Sequence, residues 1–122
     1  MKALICSLII LCSVILSTVL AASYTDVILS DFEEEIDARI THSPSESLLG
    51  IEAIGKEYSR IKPFLILFMR ENNIQEMEMY MEDIKSAAAE DDVVAITEAK
   101  NRLMLHIQQL RRLSAFSMEA IF

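Results

Sequence analysis

The side chains able to do chemistry in this chain are few and scattered. Asp31, Glu33, Glu34, Glu35 and Asp37 supply carboxylate oxygens that suit a hard cation. On a helix they fan around the axis, and no Gly-containing ligand loop follows, so they read as a solvated face. Met77, Met79 and Met81 carry thioethers of the kind that bind cuprous copper. In a helix Met77 and Met81 share a face while Met79 points away, so the three sulfurs do not converge. Core packing is their expected role, with an adaptable partner-binding surface as the second.

His42 and His106 are the only histidines, and neither has a second ligand at helical spacing. A metal site or a His-based nucleophilic machine needs partners that the sequence does not group. His42 is expected in a loop, and His106 at a partly exposed helical position beside Ile107. Ser43, Ser45 and Ser47 fall where a helix cap is expected. The only glycines, Gly50 and Gly55, lie in one helical stretch and form no phosphate-binding loop. The sequence therefore offers no catalytic, cofactor-binding or metal-ligating residues, and the chain is not expected to be an enzyme.

Charge and composition narrow the partners. The 122 residues hold 19 acids against 11 bases, a formal net charge of −8, which excludes the concentrated Lys and Arg that nucleic-acid binding needs. Arg111 and Arg112, with Lys100 and Arg102, make the C-terminal stretch the most basic, opposite the acidic stretch from Asp26 to Asp37. The two could attract each other within the fold or across a dimer, although cations near a helix C-terminus are favourable without any partner.

The chemistry-poor chain is built on an apolar leader. No charged residue occurs from Ala3 to Thr25, and Lys2 is the only one before Asp26. As a helix, Ala3 to Ala22 extends roughly 30 Å, the thickness of a bilayer's hydrocarbon core. Two readings follow. A retained transmembrane anchor is preferred, because the apolar run exceeds the roughly 7 to 15 residues of a signal-peptide core. The alternative is a signal peptide cleaved near Ala21 or Ala22. Either exports the remainder, with Lys2 as the one cytoplasmic vote. Cys6 and Cys12 both lie in this segment, so the exported part can form neither a disulfide nor a thiolate metal site.

Beyond it, apolar residues recur at three and four. Ile28 or Leu29, Phe32, Ile36 and Ile40 mark one face of a helix continuing from the membrane segment. Pro44 ends it, and Ser43-Pro44-Ser45-Glu46 has the spacing of a capping box with Pro at the first helical position. A second helix is predicted from Pro44 to about Glu71, burying Leu48, Ile51, Ile54, Tyr58, Ile61, Leu65 and Phe68. A kink or break is predicted near residues 60–62, where Pro63 removes a donor. The apolar run 64–69 is expected to be buried on several sides, with membrane-surface contact as the alternative. Asn73 is expected to cap a third helix from Ile74 to Ala89, presenting Ile74, Met77, Met81, Ile84 and Ala88. After the acidic turn Glu90-Asp91-Asp92, a fourth helix presents Val93, Ile96, Ala99 or Lys100, Leu103, Ile107 and Leu110. It is expected to end between Leu113 and Ser117, with Met118, Ile121 and Phe122 docking on the bundle. No stretch alternates with period two, and the short loops imply antiparallel neighbours.

Several of these features together resemble a known family. They are the apolar N-terminal helix, Glu71-Asn72-Asn73 followed by Ile74-Gln75-Glu76-Met77, the Asp91-Asp92 turn, and the ending Ser117-Met118-Glu119-Ala120-Ile121-Phe122. The pattern resembles the small bacterial proteins grouped as domain of unknown function 4363, over nearly the whole chain. Members often carry Trp in the second helix and His before the third, where this chain has Tyr58, Phe64, Asn72 and Asn73. The resemblance implies a membrane-anchored helical protein without an assigned activity, sometimes encoded beside integral membrane proteins in spore-forming bacteria.

The sequence thus predicts an all-α protein: a transmembrane or signal helix over residues 1–23, then an antiparallel helical bundle over residues 24–122. The expected function is a single-pass envelope protein whose exported bundle binds another protein, an integral membrane protein being one candidate. The alternative is a secreted carrier of a small apolar ligand or a metal.

Overall fold

The computed structural model describes the backbone of residues 1–121, with side chains described except at positions 22 and 114–121. Four helices follow in order: α1 (Lys2–Arg39), α2 (Pro44–Phe68), α3 (Glu71–Ala89) and α4 (Val93–Ile121). Links of four, two and three residues, 40–43, 69–70 and 90–92, leave no room for anything but reversal. Each helix packs on its chain neighbour, and α4 closes the ring against α1. The result is an antiparallel four-helix bundle with no strand among the described residues.

The period-3.6 faces meet inside as the sequence predicts. Leu29, Phe32 and Ile36 of α1, and Ile40 just after it, are at most 1% exposed. Ile51, Ile54, Tyr58, Ile61 and Leu65 of α2 line the same core, with Ile74, Met77, Ile84 and Ala88 from α3. Ile96, Ala99, Leu103, Ile107 and Leu110 complete it from α4. Burying each of these large aliphatic groups contributes about 1.5 to 3 kcal/mol. Leu48 and Met81 are only partly buried, while Phe68 and Val93 turn out to the surface.

Several boundaries differ from the sequence reading. Ser43 is the N-cap of α2 with Pro44 at the first position, yet its side chain makes no cap hydrogen bond, so the predicted capping box does not form. Glu46 instead accepts from the Thr41 hydroxyl at 3.2 Å. Ser47, fully buried, accepts from the Thr41 N–H at 3.1 Å and donates to the Thr41 carbonyl at 2.7 Å. One hydroxyl thus satisfies both backbone groups of a link residue. α2 runs unbroken through Pro63 and stops at Phe68, three residues before the expected end. α3 begins at Glu71 behind Arg70, which places Asn73 inside the first turn rather than at the cap. α4 continues to Ile121, past the expected 113–117 limit. The docking expected of Met118, Ile121 and Phe122 falls outside the described side chains.

The acidic α3–α4 turn is built as expected, and with more detail than the charges alone suggest. The Asp91 N–H donates to Ala88 and the Asp92 N–H to Ala87, the paired bonds of a Schellman ending. Asp91 takes the left-handed conformation this requires, with φ of 56°. Asp92 then caps α4, its carboxylate accepting from the Ala95 N–H at 3.1 Å. At the other end of the bundle, α1 passes from the apolar segment into the core without interruption over 38 residues.

Candidate functional site

The helices distribute the sequence candidates rather than gather them. Asp31, Glu34, Glu35 and Asp37 stay on the exposed side of α1, and among the described residues no three His, Cys, Asp or Glu groups could hold a metal ion. Met77 lies in the core, Met81 is half-buried and Met79 is 52% exposed, so the three sulfurs diverge. His42 sits exposed in the α1–α2 link, as expected. Cys6 and Cys12 are unpaired and exposed on the apolar part of α1.

His106 departs from expectation: it is 7% exposed, not a surface residue. Its Nε2 lies 3.2 Å from the Asn73 carbonyl, which can only accept, so that nitrogen donates. Nδ1 faces the Glu76 carboxylate at 3.4 Å, and the Tyr80 ring packs edge-on at 5.6 Å. The imidazole therefore ties α4 to the first turn of α3. Ile107 is an i+1 neighbour and not its contact face, which is why the sequence pattern missed the burial.

Opposite charges meet between α4 and α1 within one bundle. Arg111 bridges Asp26 at 2.9 Å and Glu33 at 3.1 Å, and Gln108 donates to Glu33 at 3.2 Å. The hydrogen bond to Asp26, ahead of the one to Glu33, holds the Arg111 guanidinium still more firmly in its charged form. About three turns earlier on α4, Lys100 reaches the Ile40 carbonyl at 2.9 Å and Asp37 at 3.1 Å, placing a cation at the C-terminus of α1. Between α2 and α3, Lys62 pairs with Glu78 at 2.6 Å and Tyr58 donates to the same carboxylate at 3.1 Å. Lys62 holds the Glu78 carboxyl below its usual range, while burial first and Glu78 second raise the Tyr58 phenol.

The α2–α3 groove above this pair is open and charged, lined by Glu52, Lys56, Glu78, Glu82 and Lys85 around a strip of Ile51 and Met81. The apolar surface lies elsewhere. Leu4, Leu8, Ile9, Leu11, Leu16 and Leu20 are all more than half exposed along α1. Where α1 enters the bundle, Tyr24 meets Phe64 edge-on at 4.8 Å and Phe64 meets Phe68 at the same distance. The run 64–69, expected to be enclosed, leaves Ile66, Leu67 and Phe68 at 55%, 75% and 51% exposure, since among the described residues nothing covers the outer side of α2's last turn.

These features define an all-α bundle carried on one N-terminal helix long and apolar enough to cross a membrane, a property a signal sequence shares. Compared with known proteins, the chain matches no family model, no curated protein and no solved structure.

Proposed function

We propose that this chain is a non-enzymatic, single-pass envelope protein whose α1 is retained as an anchor and whose extracytoplasmic bundle binds another protein, an integral membrane protein being the expected class. The observation that carries the proposal is α1 itself. Its first half exposes an uncharged surface of bilayer length, and its second half is a fully integrated core helix, with no link between them at which the two could separate. Lys2 before the span, with no Lys or Arg after it until Arg39, favours an outside bundle. The bundle supplies exposed charge that a protein partner could meet, as at Glu52, Lys56, Glu82 and Lys85. The resemblance to domain of unknown function 4363 belongs to the same proposal and rests on the quoted residues alone.

Ala21, Ala22 and Ser23 support the alternative of cleavage and secretion. As a carrier of an apolar ligand the bundle is less apt, since its α2–α3 groove is lined mainly by charges. Membrane fractionation with intact-mass measurement separates the readings. Full mass in an alkali-resistant membrane fraction is the expected result, and loss of about 21 or 22 residues with soluble release overturns the anchor. Crosslinked pull-down from membranes then reads the partner, and a small ligand found by native mass spectrometry would favour the carrier.

A further inference from the structure

Ile66, Leu67 and Phe68 form an exposed apolar cap at one end of the bundle, and the register of the helices places that end. α1 leads away from the apolar segment and α2 returns antiparallel, with Phe32 against Tyr58 at 6.1 Å and Tyr24 against Phe64 at 4.8 Å. Tyr24 is two residues past Ala22, so Phe64 stands about 3 Å from the end of the span. Phe68 is one turn further along α2, in the direction of the membrane, about 6 Å beyond Phe64 and therefore level with Leu20. The apolar cap is thus continuous with the anchor's own surface rather than set apart from it.

We infer that the last turn of α2 and the α2–α3 link are embedded in the interfacial layer of the bilayer beside α1, making a second membrane contact. This deepens the anchoring proposal and rests on it. The chemistry of the end fits a lipid surface. Tyr24, Phe64 and Phe68 form an aromatic group at headgroup level, where amphipathic rings concentrate. Arg60 and Arg70, both exposed, flank the apolar turn one helical turn before Phe64 and two residues after Phe68. Long cationic side chains in such places keep their heads among lipid phosphates while their stems cover apolar surface. A protein partner would not require the apolar cap to sit at the level of the span, whereas a lipid surface does.

The chain contains no Trp, so single substitutions give one fluorophore each in the full-length protein. Leu67→Trp, Leu11→Trp and Leu49→Trp occupy sites that are 75%, 56% and 70% exposed, so none disturbs the core. Each variant is reconstituted into vesicles of zwitterionic and anionic phosphatidyl lipids, unbrominated or with acyl chains brominated either near the headgroup or near the chain terminus. Leu67→Trp is expected to emit to the blue and to lose about half its emission or more to brominated lipid, as a residue at the headgroup–acyl boundary does. Leu49→Trp, at the far end of α2, is expected to be unaffected. If Leu11→Trp is quenched while Leu67→Trp behaves as Leu49→Trp, the second contact is refuted and the anchor stands. Blue emission from Leu67→Trp without quenching means a protein contact and equally refutes it. Failure of Leu11→Trp to be quenched removes the anchor and this inference together.

Discussion

The two glycines of α2 make opposite demands on the same substitution. At Gly50, a Cβ would lie 2.9 Å from the Arg39 carbonyl carbon, 3.1 Å from the Arg39 Cβ and closer still to the Arg39 carbonyl oxygen. Ordinary contact begins at 3.4 Å, so α1 and α2 would have to part by at least about 0.5 Å, and backbone cannot swing aside as a side-chain tip can. At Gly55 the same Cβ meets nothing within 4 Å. Ala in place of Gly in an open helix position gains about 0.5 to 1 kcal/mol. Gly55→Ala should realise that gain, while in Gly50→Ala overpacking of about 1 to 3 kcal/mol outweighs it. The variants should therefore differ by about 2 kcal/mol, or about 10 °C in melting midpoint for a domain of this size. Thermal melts of the full chain in mild detergent, followed by far-ultraviolet circular dichroism, read the difference. A Gly50→Ala protein melting at or above the parent would show that the α1–α2 approach is not as close as the structure has it.

Other perturbations test other joints. Ser47→Ala strips the hydroxyl from a Thr41 N–H and carbonyl, and should cost about 1 to 3 kcal/mol in urea unfolding. Asp91→Gly removes the strain of a left-handed non-glycine residue and should stabilise by about 0.5 to 1 kcal/mol in the same assay. Glu78 titrates lower when folded than unfolded, so its pairing with Lys62 and Tyr58 stabilises fully above the ordinary carboxylate pKa of 4.5 and is lost as pH falls through the lower folded value. Glu78→Gln should flatten that part of the acid limb of a stability–pH curve, and an unchanged limb would count against the pairing. Arg111→Met should weaken the α1–α4 seam by about 1 kcal/mol, a modest loss because the guanidinium is one-third exposed, and added salt should shrink the difference.

What the sequence carried most faithfully was periodicity. Every core position of α1 from Leu29 to Ile36, and Ile40 at its C-cap, follows from spacing, because a helix face is a property of one segment and needs no knowledge of its neighbours. The misreadings arose where neighbours decide. Ser43 and Glu46 have capping-box spacing, but Thr41 competes for the Glu46 carboxylate and Ser47 satisfies the link instead. The run 64–69 has the composition of an enclosed segment, yet its exposure depends on where the ring of helices ends. His106 gives no sign in sequence that Asn73, Glu76 and Tyr80 converge on it from α3, since all three are about 30 positions away. The meeting of Arg111 with Asp26 and Glu33 was legible as charge segregation, and only the fold chose an intramolecular pairing over a dimer.

The unbroken course of α1 has a mechanical corollary. A helix advances about 100° per residue, so under the proposed anchoring the angular direction in which the bundle faces within the plane of the membrane is set by the number of residues between the span and the core. Adding a single alanine after Ser23 would turn the whole bundle by roughly that angle, and adding seven would return it almost to its original bearing while lifting it about 10 Å. A neighbour recognised by the bundle would then sense phase as well as distance, and the anchor would act as an axle that transmits the tilt and rotation of one end to the other.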